Sequence, residues 1–186
     1  RSAELPFLLR CEFDPNVLEY YDQPEPIKIK YRKADGKLRA DWITNDFLII
    51  KNNEIALIEC KKEEELKTLC ANKPEKYIYD AELDRYLSPP AIDAAKEMGL
   101  NHYISVDKDF TAYFIRNCAF LFNFIDNKPE KISDQEAIKS FIVSHGNRFK
   151  LDELKKIFSQ KIIIQAILNG MLSADLDNQL FINPEH

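Results

Sequence analysis

The chain has 186 residues, 45% of them hydrophobic and 31% charged, with a formal net charge of −5. That composition is ordinary for a globular protein, and no apolar run approaches the roughly 18 residues needed to cross a bilayer, so no membrane partner is expected. The acidic balance argues against a chain that holds nucleic acid unaided, because Lys and Arg supply the phosphate neutralisation behind non-specific affinity.

In chain order, residues 2–11 carry Leu5, Leu8 and Leu9 at helical spacing, and the EFDPNV stretch stops that helix at Pro15. IKIKYRK (27–33) alternates apolar and basic residues as a half-exposed strand does, and Ala34-Asp35-Gly36-Lys37 is a hairpin turn. Two apolar runs around Lys51-Asn52-Asn53-Glu54 form a second hairpin. Its first run opens at Asp46 and its second ends in Glu59-Cys60-Lys61. In a strand Glu59 and Lys61 share one face while Ile58 and Cys60 share the other, so one face is charged and one is dry.

Residues 63–86 are charged and helical in part. Ser88-Pro89-Pro90 starts a helix with apolar positions Ile92, Ala95 and Met98 that ends at Gly99, and HYISV (102–106) is one more strand. A helix between two strands, after an antiparallel meander, makes a mixed α/β core. The apolar segment 110–125 is expected as a helix packed on that core. The pattern breaks at 126–129, which places the domain boundary there: a core domain over 1–127 and a smaller one over 128–186.

In the second domain, Ser133 and Glu136 form a capping-box pattern ahead of Ile138, Phe141 and Ile142 on one helical face. Further helices are expected over 151–158 and 160–168, with Gly170 ending the last, and short strands over 172–176 and 180–182. Three helices and a wing of strands suggest a winged-helix-like module. Its third helix is mostly core, with Ile162, Ile163, Ile164, Ile167, Leu168 and a single Lys, which favours protein docking over groove reading.

The four cysteines, Cys11, Cys60, Cys70 and Cys118, form no CxxC pair and no zinc spacing. Reduced thiols in an intracellular chain are expected, and the start at Arg1 suggests a piece of a longer protein. His102, His145 and His186 also lack ligand spacing and read as a strand, a loop and a tail residue. No GxSxG nucleophile motif is present, and four glycines leave no phosphate loop.

Two features could carry chemistry. Lys28, Lys30, Arg32, Lys33, Lys37 and Arg39 crowd into twelve residues opposed only by Asp35, either as a charge-protected strand edge or as a ribbon that faces phosphates. The second feature is the set Asp46, Glu59 and Lys61. Phosphodiester hydrolysis needs a hard cation on carboxylates, an activated water and a positive group at the developing charge, and these residues supply the parts. The acidic-x-Lys spacing also occurs at Asp35, Glu65, Asp126 and Glu153. Only Glu59 and Lys61 close an apolar strand whose hairpin partner opens on an aspartate. A nuclease site and an ordinary salt-bridged strand end both fit at this point.

The order of ELPFLLRCEFDPNVLEYYDQPEPIKI (4–29), DGKLR, NDFLII and ALIECK resembles the N-terminal nuclease domain of the TnsA family, the restriction-like endonuclease subunit of heteromeric transposases, over most of residues 2–125. The family's helix glutamate falls on Glu4, eight residues before Glu12-Phe13-Asp14-Pro15. Its Pro-Asp falls on Asn45-Asp46 and its acidic-x-lysine on Glu59-Cys60-Lys61. The resemblance implies a restriction-endonuclease-like fold followed by a module that contacts partner proteins. It also implies metal-dependent nicking of double-stranded DNA at transposon ends, alongside a strand-transferring transposase and an ATPase regulator, in a prokaryotic cytoplasm.

On that basis the expected catalytic set is Glu4, Asp46, Glu59 and Lys61. The expected ligands for Mg2+, with Mn2+ as substitute, are Asp46, Glu59, Glu4 and the backbone carbonyl of Cys60. The Cys60 thiol is read as core, and Gln23 as a border of the site or a turn cap. A stand-alone restriction or repair nuclease and an inactive nuclease-fold scaffold are the alternatives.

Overall fold

The computed structural model describes residues 3–124, 135–146 and 149–180. The chain divides into two compact units, Arg1–Phe110 and Thr111–His186.

The first unit is built on a mixed four-stranded sheet in the order β1-β4-β5-β8. β4 (Phe47–Lys51) and β5 (Ile55–Lys61) are the expected hairpin, closed by the Lys51 amide donating to the Glu54 carbonyl at 2.8 Å. β1 (Val17–Asp22) lies antiparallel on the outer side of β4. β8 (Asn101–Val106) runs parallel to β5, with Leu57 opposite His102 and Glu59 opposite Ile104. A parallel neighbour requires a crossover. It is supplied by α2 (Glu63–Asn72), the short hairpin β6 (Ile78–Asp80) and β7 (Arg85–Leu87), and α3 (Pro89–Glu97).

Strand alternation gives the sheet two dry faces. On one, α1 (Glu4–Phe13) brings Cys11, Phe7 and Leu8 against Phe47, Ile49, Ala56, Ile58 and Cys60. On the other, Leu57 and Leu48 pack with Ala91 and Ala95 of α3 and with Ile27 and Ile29. Those isoleucines come from a separate two-stranded ribbon, β2 (Ile27–Arg32) and β3 (Leu38–Ile43), whose turn is made by Gly36 at φ 77°. A φ of that sign suits glycine, which has no Cβ to clash. Leu66 of α2, Tyr77, Tyr86 and Val106 form a third cluster at the end of β5.

The charged-face expectation for β5 needs correction. Glu59 and Lys61 do share a face, but it is the face covered by α3 and the ribbon, and Glu59 is only 6% exposed. The α3 face is also displaced: Pro90, Ala91 and Ala95 are buried, whereas Met98 is exposed. Pro at the first helical turn and Gly99 at φ 75° delimit the helix as expected.

In the second unit, α4 (Ala112–Phe122) is capped by Thr111, whose hydroxyl accepts from the Phe114 amide at 3.0 Å. α5 (Gln135–His145), α6 (Leu151–Lys155) and α7 (Gln160–Leu168) follow, with Ile138, Phe141, Leu154, Ile163 and Ile164 buried. α6 is shorter than expected, and His145 ends a helix, stacked on Phe141 at 3.9 Å between centroids. Residues 172–176 are not a strand. Their carbonyls are used differently, since the Asn117 amide donates to Leu176 and Gln179 and the Asp175 carboxylate accepts from Asp177 and Asn178. Residues 181–182 of the second expected strand, Ser133 of the expected capping box and His186 lie outside the described residues.

Candidate active site

The hairpin places Asp46 just before β4. Its amide donates to the Ile58 carbonyl (2.8 Å), and its Oδ2 accepts from the Cys60 amide (2.6 Å). The carboxylate thus spans from the start of one strand to the end of the next. The amide of Gln23, a non-glycine residue at φ 46°, donates to the Asp46 carbonyl at 2.9 Å. The backbone of Gln23 therefore meets that of Asp46, in a region that L-residues rarely occupy.

Glu59 enters from β5. Its Oε1 accepts from the Tyr77 hydroxyl (2.9 Å) and lies 3.4 Å from Lys61 Nζ. Its Oε2 is buried with no hydrogen-bond partner. Lys61 Nζ also lies 3.7 Å from Glu65. Burial works against the lysine charge, but Glu59, Glu65 and Asp46 outweigh it and hold the ammonium above the usual lysine range. Lys61 is thus the charge these carboxylates share.

Glu4 stands at the start of α1, on the Cys60 face of the sheet. Burial, then the charges of Asp46 and Glu4, push the Cys60 thiol well up, so it stays protonated and belongs to the core. Among the described residues no three His, Cys, Asp or Glu side chains are gathered to hold a metal ion. Two carboxylates still fit magnesium, which commonly takes one or two, keeps several waters and completes its shell with substrate phosphate. The unpartnered, buried Glu59 Oε2 is the observation behind that fit, because an orphaned carboxylate oxygen in a dry site is costly without a cation.

Two contacts of the site had no sequence signal, Tyr77 with Glu59 and Asn45 with His102. Tyr77 lies 18 residues from Glu59, just before β6, and carries no motif. Asn45, at 1% exposure, accepts through Oδ1 from Nε2–H of His102 at 3.1 Å, which leaves His102 Nδ1 and Asn45 Nδ2 unpartnered. This buried pair holds the residue before Asp46 against β8.

Burial lowers the His102 pKa from 6.5 to about 4. The folded pKa lies below the unfolded one, so the neutral ring's stability contribution is complete above pH ~6.5 and is lost as pH falls towards 4, up to about 3 kcal/mol. Urea melts from pH 7.5 to 4.5 should show His102→Gln losing less stability than the parent over that window. Parallel curves for the two proteins contradict this.

The six basic residues do not act as one patch. Ribbon register puts Lys28 opposite Trp42, Lys30 opposite Ala40 and Arg32 opposite Leu38, all on the outward face. Arg39 pairs with Tyr31 on the other face, while Lys33 and Lys37 close the turn, the Lys33 amide donating to the Lys37 carbonyl at 3.1 Å.

The mixed sheet thus carries a carboxylate ahead of one hairpin strand and a carboxylate-x-lysine at the end of the next. Residues 14–104 match the family described as TnsA-like endonuclease N terminal, so this segment is similar to the N-terminal domain of those endonucleases. The match contains Asp46, Glu59 and Lys61, whereas Glu4 and the second unit lie outside it. No curated protein matches the chain. No helix among the described residues is long and apolar enough to cross a membrane.

Proposed function

We propose that the chain is the metal-dependent endonuclease subunit of a transposase and nicks double-stranded DNA at transposon ends by phosphodiester hydrolysis. The observation that carries this reading is the hairpin itself, with Asp46 hydrogen-bonded to the Cys60 amide between Glu59 and Lys61, inside a segment matched to TnsA-like endonucleases. Asp46 and Glu59 would hold Mg2+, with Mn2+ as substitute, and Glu4 and the Cys60 carbonyl would extend the oxygen set. A bound magnesium ion polarises a phosphoryl oxygen and lowers the pKa of its water.

The other tasks fall to the chain. Lys61 stays charged and stabilises negative charge that develops on the phosphate. Tyr77 and Lys61 fix Glu59 Oε1 and leave Oε2 for the ion. Of the six basic residues, Lys28, Lys30 and Arg32 on the outward face of the ribbon contact DNA backbone, and partner subunits, a strand-transferring transposase and an ATPase regulator, supply end recognition that an acidic chain lacks. The C-terminal part of the chain, expected over 128–186, serves as the docking module for those partners, the action being cytoplasmic.

The test is a nicking assay on labelled transposon-end DNA with Mg2+ or EDTA, with and without the co-encoded subunits. Magnesium-dependent nicks that need the partners support the reading. Robust cutting by the chain alone favours a stand-alone nuclease, and no cutting under any condition favours a scaffold.

Tyr77 should behave as a positioning residue. Outer partners of metal-binding groups are worth about 10- to 100-fold in metal affinity or activity, so Tyr77→Phe should weaken activation by Mn2+ by a factor in that range. Excess Mn2+ should restore the rate. An unchanged metal dependence removes Tyr77 from the site.

A further inference from the structure

The ribbon has one side buried and one side bare. Its inner side is fixed by Ile27 and Ile29 against α3, and by Asp41, which accepts from Tyr31 and Lys76. Its outer side presents Lys28, Lys30, Arg32, Leu38, Ala40 and Trp42, with no acid among them. Leu38 is 60% exposed and Trp42, the single tryptophan of the chain, is 68% exposed. Lys28 Nζ stands over the Trp42 ring, 5.9 Å from its centroid.

A large aromatic in water beside three cations is an unusual way to end a strand edge. Protection of that edge needs the charges but not the ring. Protein docking would use the ring but would need a matching acidic face for three like charges, while binding to intact duplex would use the charges and leave the ring without a stacking partner, since paired bases hide their faces. An unpaired strand uses both, because a base stacks on an aromatic face and its phosphates meet the neighbouring cations. Same-face residues on a strand are about 7 Å apart, comparable to successive phosphates in an extended strand.

We propose that the outer face of the β2–β3 ribbon is a platform for unpaired nucleotides. Trp42 stacks a base, and Lys28, Lys30 and Arg32 hold the flanking phosphates. The proposal deepens the nuclease reading and rests on it for its biological substrate, since strand ends beside a nick fray into such nucleotides.

The experiment is direct because tryptophan fluorescence comes from Trp42 alone. The full-length chain, without metal, is titrated with a dT oligonucleotide, a blunt duplex and a duplex carrying a single-stranded tail. The dT oligonucleotide and the tailed duplex should quench Trp42 emission, and the blunt duplex should do so weakly. By anisotropy of a labelled tail, Trp42→Ala should bind roughly 10- to 100-fold more weakly and Trp42→Phe should keep most of the affinity. Each of Lys28→Ala, Lys30→Ala and Arg32→Ala should reduce the slope of log affinity against log salt by about 0.7.

Equal quenching by blunt and tailed DNA, no quenching at saturation, or tail binding that Trp42→Ala leaves intact overturns the platform. So does quenching caused only by a partner subunit. None of these readouts requires cleavage. A chain that cuts DNA with Trp42 unquenched refutes the platform alone, and one that binds tails but never cuts with any partner refutes the nuclease reading alone.

Discussion

Asp46→Asn should reduce single-turnover nicking by roughly 10³-fold or more, at or beyond the loss seen when one preorganised stabilising group is removed, while the protein melts close to the parent. The asparagine is the informative variant because of what Asp46 does in the fold. Its Oδ2 accepts the Cys60 amide at 2.6 Å, and an amide oxygen can take over that bond but is a poor replacement for a charged ligand. Asp46→Ala removes both functions. It leaves the Cys60 N–H without an acceptor at about 1–3 kcal/mol, so its melting temperature should fall by several degrees or more. The hydrogen bond makes Asp46 a cross-strand clamp as well as an acid at the strand start. An Asp46→Asn protein that nicks at the parental rate removes the carboxylate from the chemistry.

Lys61→Ala should slow nicking by roughly 10²–10³-fold with little change in metal affinity, because a stabilising donor is lost and no ligand is. The side chain is half-buried among Glu59, Glu65 and Asp46, which hold its proton above the ordinary lysine range. It therefore does not serve as the free base near neutral pH, and the pH–rate profile should show no loss of activity assignable to lysine deprotonation below pH 10. Lys61→Arg should rescue poorly, since a planar fork does not take the place of a compact ammonium 3.4 Å from one carboxylate and 3.7 Å from another. The checks are single-turnover nicking and Mn2+ affinity for both variants, with the activating partner present. Parental rates in Lys61→Ala make the Glu-Cys-Lys element an ordinary strand end.

The elements legible in the sequence are those with a local cause. The β4–β5 hairpin has two apolar runs and a polar turn, β2 has alternation and Gly36 in the turn after it, and α3 has prolines before it and Gly99 after it. β1 was not legible. Its residues VLEYYD do not alternate, because an edge strand is wet on most positions and held by backbone pairing to β4. β3 was hidden for a related reason, as Trp42 and Leu38 are exposed and Asp41 is turned inward to Lys76. The burial of Glu59 could not be read from period-2 spacing, which assigns a face but not what covers it. The residues of the site that sequence missed, Tyr77 and the Asn45–His102 pair, act through tertiary contacts spanning 18 and 57 positions. In the second unit the helices were legible from their apolar faces, but the strand expected over 172–176 was not formed, because Asp175 and Asn178 make local turns and Asn117 binds the carbonyls a strand would have used.

The most direct test of a metal site on this hairpin is isothermal titration of Mn2+ into the parent chain, Asp46→Asn and Glu59→Gln, each alone and with transposon-end DNA bound. The parent should take up the ion and bind it more tightly with DNA present, since phosphate oxygens complete the shell, and both variants should lose most of that binding. A parent that binds no ion even on DNA, or variants that bind it as the parent does, contradicts the assignment of Asp46 and Glu59 as the ligands of a hydrolytic centre.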